Sequence, residues 1–116
     1  NGKTESAFDL NGTLSRLGGD RELLAEFVRV FDEDAPGLID AIDLAIVEGD
    51  SGKLGHAAHS LRGLAANIGA AKVSASAAEL EAMANGGTLA AAASVAARLK
   101  EEMQSLNGAV AGLRSW

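Results

Sequence analysis

Glycine-bearing breaks fall at Gly18-Gly19, at Gly49-Asp50-Ser51, at Gly69 and at 85–87, and between them apolar residues recur every three or four positions. This punctuation constrains the fold more than any other feature, because such a period buries one side of a helix and does not suit a strand. It predicts a short helix or turn over Leu10, Leu14 and Leu17, with Asp20 capping the next helix. Leu23, Leu24, Phe27, Val30, Phe31, Leu38, Ile42 and Ile46 then carry one long stripe that Pro36 should kink or divide. A third helix is expected over about 51–68, stopping at Gly69, and a fourth over about 71–85 with Val73, Ala77, Leu80 and Met83 inward. Thr88 is expected to cap a last helix through Leu89, Val95, Leu99, Met103 and Leu106 that frays past Asn107. Long amphipathic helices joined by short turns make antiparallel neighbours. The expected fold is therefore all-α, an antiparallel four-helix bundle with an additional short N-terminal helix.

Composition agrees: alanine and leucine are abundant, tyrosine is absent and there is one proline. A chain of 116 residues makes one domain, 1–116 with its core over about 9–106, and needs no staples to hold that core. The absence of cysteine removes disulfides, thiol nucleophiles and thiolate metal sites, and fits a reducing compartment. A net charge of −6 argues against a nucleic-acid partner, whose phosphates demand a basic face. No apolar run reaches the roughly 20 residues of a membrane span, so the expectation is a cytoplasmic domain without direct membrane contact. A start at Asn1 suggests a domain excised from a longer protein. Met83 and Met103 read as core filler. Trp116, at the extreme end, is not placed by the pattern.

The segment "AAHSLRGLAANIGA" sets a histidine inside an alanine and leucine helix, with Gly55 four residues before His59 and Gly63 four after. Each interior glycine costs a helix about 1 kcal/mol relative to alanine. At about 100° per residue from Leu54, the apolar set Leu54, Ala57, Ala58, Leu61, Ala65 and Ile68 clusters on one side, and His59 falls near 140°. The imidazole faces away from the core. Gly55, Gly63 and Ala66 lie three or four residues or two turns away on that face, so it is expected to stand on a bare patch. A solvated histidine has no need of such a clearing.

Charge sharpens the picture. From 51 to 78 there is no aspartate or glutamate, while Lys53, Arg62 and Lys72 are present. Arg62 lies one turn beyond His59, where its guanidinium could sit beside an anion carried by the ring. Triad-type acid–base catalysis wants a group that orients the histidine, and no carboxylate lies three or four residues away on the same helix. Nucleophilic attack on phosphorus fits better: neutral imidazole attacks, a neighbouring cation steadies the phosphoryl product, and a second protein brings the carboxylate and metal. His56, one turn earlier, reads as a residue at the rim of a docking face rather than half of a metal site, since nothing on this helix completes a ligand set. Asn67 reads as exposed polar surface, and Lys72 could steer an acidic partner.

In "AHSLRGLAANIGA" a histidine is followed by an apolar residue two on, a basic residue three on, glycine four on and a glycine-alanine pair about ten on: His59, Leu61, Arg62, Gly63 and Gly69-Ala70. This resembles the signature of the histidine-containing phosphotransfer (HPt) domain, and "LSRLGGDRELLAEFVRVF" and "LEAMANGG" are similar to its usual surroundings. The likeness covers most of 9–88. It implies that His59 is the phosphoacceptor, that Arg62 takes the place of the usual lysine and that Gly63 leaves room for an incoming receiver domain. Leu64 stands where serine or alanine is common, which makes the contact beyond Gly63 more apolar. The resemblance implies a phosphorelay intermediate: a receiver aspartate gives its phosphoryl group to His59, and phospho-His59 passes it to a second receiver. Receivers supply the Mg²⁺, no cofactor is intrinsic, and a sensor histidine kinase acts in cis or in trans, so the domain could be the cytoplasmic part of a membrane-bound sensor. No nucleotide-binding glycine loop is present, so no autonomous kinase activity is expected. Gly55, His56, Leu64, Ala66, Asn67 and Lys72 form the expected docking surface. Two other readings stay open, the amino-terminal phosphoacceptor domain of a chemotaxis-type kinase and a non-catalytic interaction or dimerisation bundle.

Overall fold

A computed structural model describes residues 8–115, which form helices and turns with no strand among them. Helix α1 spans Leu10–Arg16, α2 Arg21–Glu48, α3 Ser51–Asn67, α4 Ala71–Gly86 and α5 Ala92–Val110, and a 3₁₀ turn, Ala111–Ser115, follows. Carboxylates start the first three helices. Asp9 accepts from the Gly12 N–H, Asp20 from Leu23 and Asp50 from Lys53, each satisfying a backbone donor that has no partner inside its helix. Gly49, at φ +68, closes α2 and lets the Asp50 N–H return to the Ala45 carbonyl.

Helices α2 to α5 contact one another in a ring: α3 packs on α2 and α4, and α5 packs on α4 and α2. Leu24, Val28, Phe31 and Ile42 of α2 meet Leu54 and Leu61 of α3, Val73 and Leu80 of α4, and Leu99 and Leu106 of α5 in one buried core. The remaining buried positions of α3 and α4 are largely alanine, including Ala57, Ala58, Ala65, Ala77 and Ala84, and small residues let two helices approach closely. A Cβ added at Gly55 would stand 3.3 Å from the Ala84 Cβ. That closeness brings the exposed edges of α3 and α4 within side-chain reach of each other.

Helix α1 lies at the α3–α4 turn. Its buried Thr13 would meet a Cβ on Gly69 at 2.0 Å, and Gly69 has φ +74, so both space and backbone conformation require glycine there. No described helix is long and apolar enough to cross a membrane.

Three expectations need correction. Pro36 does not divide α2, which continues unbroken through it. The proline is exposed, while Phe31 and Ala35 before it and Ile42 and Ala45 after it are buried in the same core, so tertiary packing holds both halves in one helix. Thr88 does not cap α5. Its N–H is used to close α4 on the Met83 carbonyl after left-handed Gly87, and α5 begins only at Ala92. Leu23 is surface. Asn1 and Trp116 lie outside the described residues.

Candidate functional site

His59 stands on the solvent side of α3, its side chain 63% exposed, as the position of the core stripe requires. Its ring is nonetheless fixed. Nδ1 lies 2.9 Å from Oε2 of Glu81, which reaches over from α4 and is itself 21% exposed. Arg62, one turn along α3, places Nη2 3.0 Å from the same ring nitrogen and Nε 2.9 Å from Glu81 Oε1. That last contact is ionic: the Nε–H is not aligned on the oxygen, so Nε has no hydrogen bond of its own.

A ring nitrogen cannot donate to Glu81 and accept from Arg62 at once. Donation to Glu81 puts the proton on Nδ1 and leaves the Nε2 lone pair directed outward; acceptance from Arg62 would put the proton on Nε2 and remove the nucleophile. Both bonds would be charge-assisted, but a carboxylate can only accept, so an unprotonated Nδ1 would set lone pair against lone pair at 2.9 Å, whereas Arg62 keeps its ion pair with Glu81 Oε1 in either tautomer. Glu81 thereby favours the tautomer that leaves the Nε2 lone pair directed to solvent. The guanidinium, neutralising the other carboxylate oxygen, remains on the Nδ1 edge of the ring and leaves the Nε2 edge open.

Glu81 escaped the sequence reading because it lies on another helix. A signal was present. Contacts run in opposite order along α3 and α4: Gly55 meets Ala84 and Asn85, while His59 and Arg62 meet Glu81. His59 and Glu81 are equidistant from Ala70, in the turn, as are Gly55 and Asn85. A hairpin folded about that turn therefore pairs them, given the register.

The two flanking glycines separate. A Cβ on Gly63 would meet nothing within 4 Å, so the expected clearing is real at that position. Gly55 faces Ala84 instead and serves helix packing, which corrects its expected place in a bare patch. Gly63, Leu64, Asn67 and Ser60 line a groove whose other wall is Asp34, Gly37 and Leu38 of α2. His56 lies farther along the same side, in an apolar stretch with Leu38, Ala41, Leu44 and Lys53, and not beside His59 over α4. Ala66 is exposed, and Lys72 is half-buried in the first turn of α4. Among the described residues no three histidine, cysteine or acidic side chains cluster as metal ligands would.

No curated protein and no solved structure matches the chain significantly. A sequence model of the Hpt domain does match, over residues 26–109, a span that holds His59, Arg62, Gly63 and Glu81 together with most of α2 and α5 and all of α3 and α4. An all-helical bundle with an exposed, carboxylate-oriented histidine beside an arginine is thus matched by family as well as by chemistry, and the chain belongs to the Hpt domain family of histidine phosphotransfer in two-component signalling.

Proposed function

We propose that residues 1–116 form one phosphorelay domain, an antiparallel four-helix bundle with α1 appended, and that His59 is its phosphoacceptor. The reading rests above all on the 2.9 Å contact between Nδ1 and Glu81 on a ring that is otherwise exposed. Nε2 attacks the phosphorus of a receiver's aspartyl phosphate. The N–P bond forms as the acyl O–P bond breaks, and the aspartate leaves as carboxylate. Nδ1 keeps its proton, so the phosphorylated ring carries a positive charge that the Glu81 carboxylate offsets. Arg62 steadies the phosphoryl oxygens, and Gly63 admits the partner's backbone. Transfer onward reverses the same bond changes toward a second receiver's aspartate. The domain is a carrier with no kinase activity of its own; receivers contribute the Mg²⁺ and a sensor histidine kinase, in cis or in trans, contributes the phosphate on the cytoplasmic side.

The test is incubation with radiolabelled phospho-receivers and Mg²⁺, wild type beside His59→Gln. Label that survives base, is lost in acid and is absent from His59→Gln supports phosphohistidine at His59. Label that persists in His59→Gln overturns it.

A further inference from the structure

Three glycines sit more than a turn inside the two helices that flank the groove: Gly37 in α2, and Gly55 and Gly63 in α3. Such positions cost helix stability and call for a reason. Gly55 has one inside the molecule, in Ala84; Gly37 and Gly63 have none, for a Cβ at either would meet nothing within 4 Å. Both line the same groove, on opposite walls. The bare backbone there serves something that approaches from outside.

Of the residues that line the groove only Asp34 is charged, and it stands on the α2 wall; Ser60, Gly63, Leu64 and Asn67 of α3 are uncharged. The α2 side is acidic more widely: from 30 to 52 the chain has seven carboxylates and no lysine, arginine or histidine. Asp34, on the α2 wall, has no ion-pair partner among the described residues. Beyond Leu38 the groove continues into the apolar stretch beside Leu44, and Leu44 and Val47 are 54% and 83% exposed. A partner that fits is therefore apolar along its ridge, basic where it meets α2 and acidic where it meets Arg62.

Resting on the assignment of His59 as phosphoacceptor, we infer that Gly37 and Gly63 form a two-sided notch that seats an apolar ridge of the receiver domain, with Asp34 selecting receivers that place a lysine or arginine beside that ridge. An acidic phosphorylation pocket on the same receiver meets Arg62 on the other edge of α3, so the groove and the His59 edge together fix its orientation as well as its position. Gly37 is then a specificity determinant on a helix that carries no phosphoryl chemistry.

The full chain is phosphorylated in parallel by free phosphoramidate and by each receiver that labels the wild type. Gly37→Leu is expected to slow receiver transfer by roughly tenfold or more while phosphoramidate labels His59 at the wild-type rate. Gly37→Ala should raise Tm by about 2 to 6 °C and still slow receiver transfer, opposite signs that a structural role would not give. Asp34→Lys should weaken receiver binding and flatten its salt dependence. Gly108→Leu, on α5, should change neither rate. Receiver transfer at the wild-type rate in Gly37→Leu overturns the notch and leaves the phosphoacceptor standing. Failure of every receiver to label a wild type that phosphoramidate does label overturns the receiver as occupant, as does a wild-type dimer in sedimentation that Gly37→Leu dissociates. If phosphoramidate does not label His59 at all, the underlying assignment fails instead.

Discussion

On its α4 side, helix α3 is packed: Gly55 lies against Ala84, and His59 and Arg62 are tied to Glu81. On its α2 side it opens into a groove where Gly63 and Gly37 touch nothing within the reach of a Cβ. Residues of the packed side are explained by contacts within the chain, which orient the imidazole before any partner arrives. Gly37 and Gly63 on the open side make no such contacts and are understood only through a second molecule. Preorganisation and recognition thus occupy opposite edges of one helix, so each can be altered separately.

Glu81→Ala strikes the packed side hardest. Loss of the tautomer-selecting carboxylate should slow phosphoryl transfer to His59 by about 100-fold, or about 2.7 kcal/mol of barrier, measured by rapid quench. ¹⁵N spectra of the imidazole should show the Nδ1–H tautomer in the wild type and its loss in Glu81→Ala, a change that simple destabilisation would not produce. Next in size is Gly55→Leu, which forces a side chain against Ala84 and should cost about 1–3 kcal/mol of stability in denaturant unfolding. Its open-side counterpart, Gly63→Ala, should do the reverse, stabilising the fold by about 0.5–1 kcal/mol while slowing transfer from receivers. A Gly63→Ala domain that was both less stable and fully active would erase the contrast between the two sides. The smallest effect belongs to Asp43→Asn. Asp43 pairs with Lys100 of α5, 2.7 Å away, with both side chains substantially exposed, so stability should change by less than about 1 kcal/mol and receiver transfer not at all. A loss of transfer there would mean that the total charge of α2, and not the groove wall, governs docking.

The cap at Asp20 and the breaks at Gly49-Asp50-Ser51 and Gly69 were legible because each depends on residues within a few positions of itself. Thr88 misled for the same local reason: it resembles a helix start, but its N–H closes the helix before it. Pro36 misled as a divider of α2 because a local rule disfavours what the buried residues on either side of it enforce. His59, Arg62 and Gly63 could be found from spacing alone, since all three lie on one helix and the geometry of a helix is fixed by its backbone.

What the sequence determined by itself, then, was the helical class, the exposed face of α3 and the imidazole and guanidinium set one turn apart on it. Gly55 and Gly63 are symmetric in the sequence, four residues on either side of His59. Only the tertiary structure made them different, and only it delivered Glu81 to Nδ1 and set Gly37 opposite Gly63. Neighbours along a helix follow from a constant rise and turn per residue, whereas neighbours across helices depend on register and on how closely side-chain volumes let two axes approach.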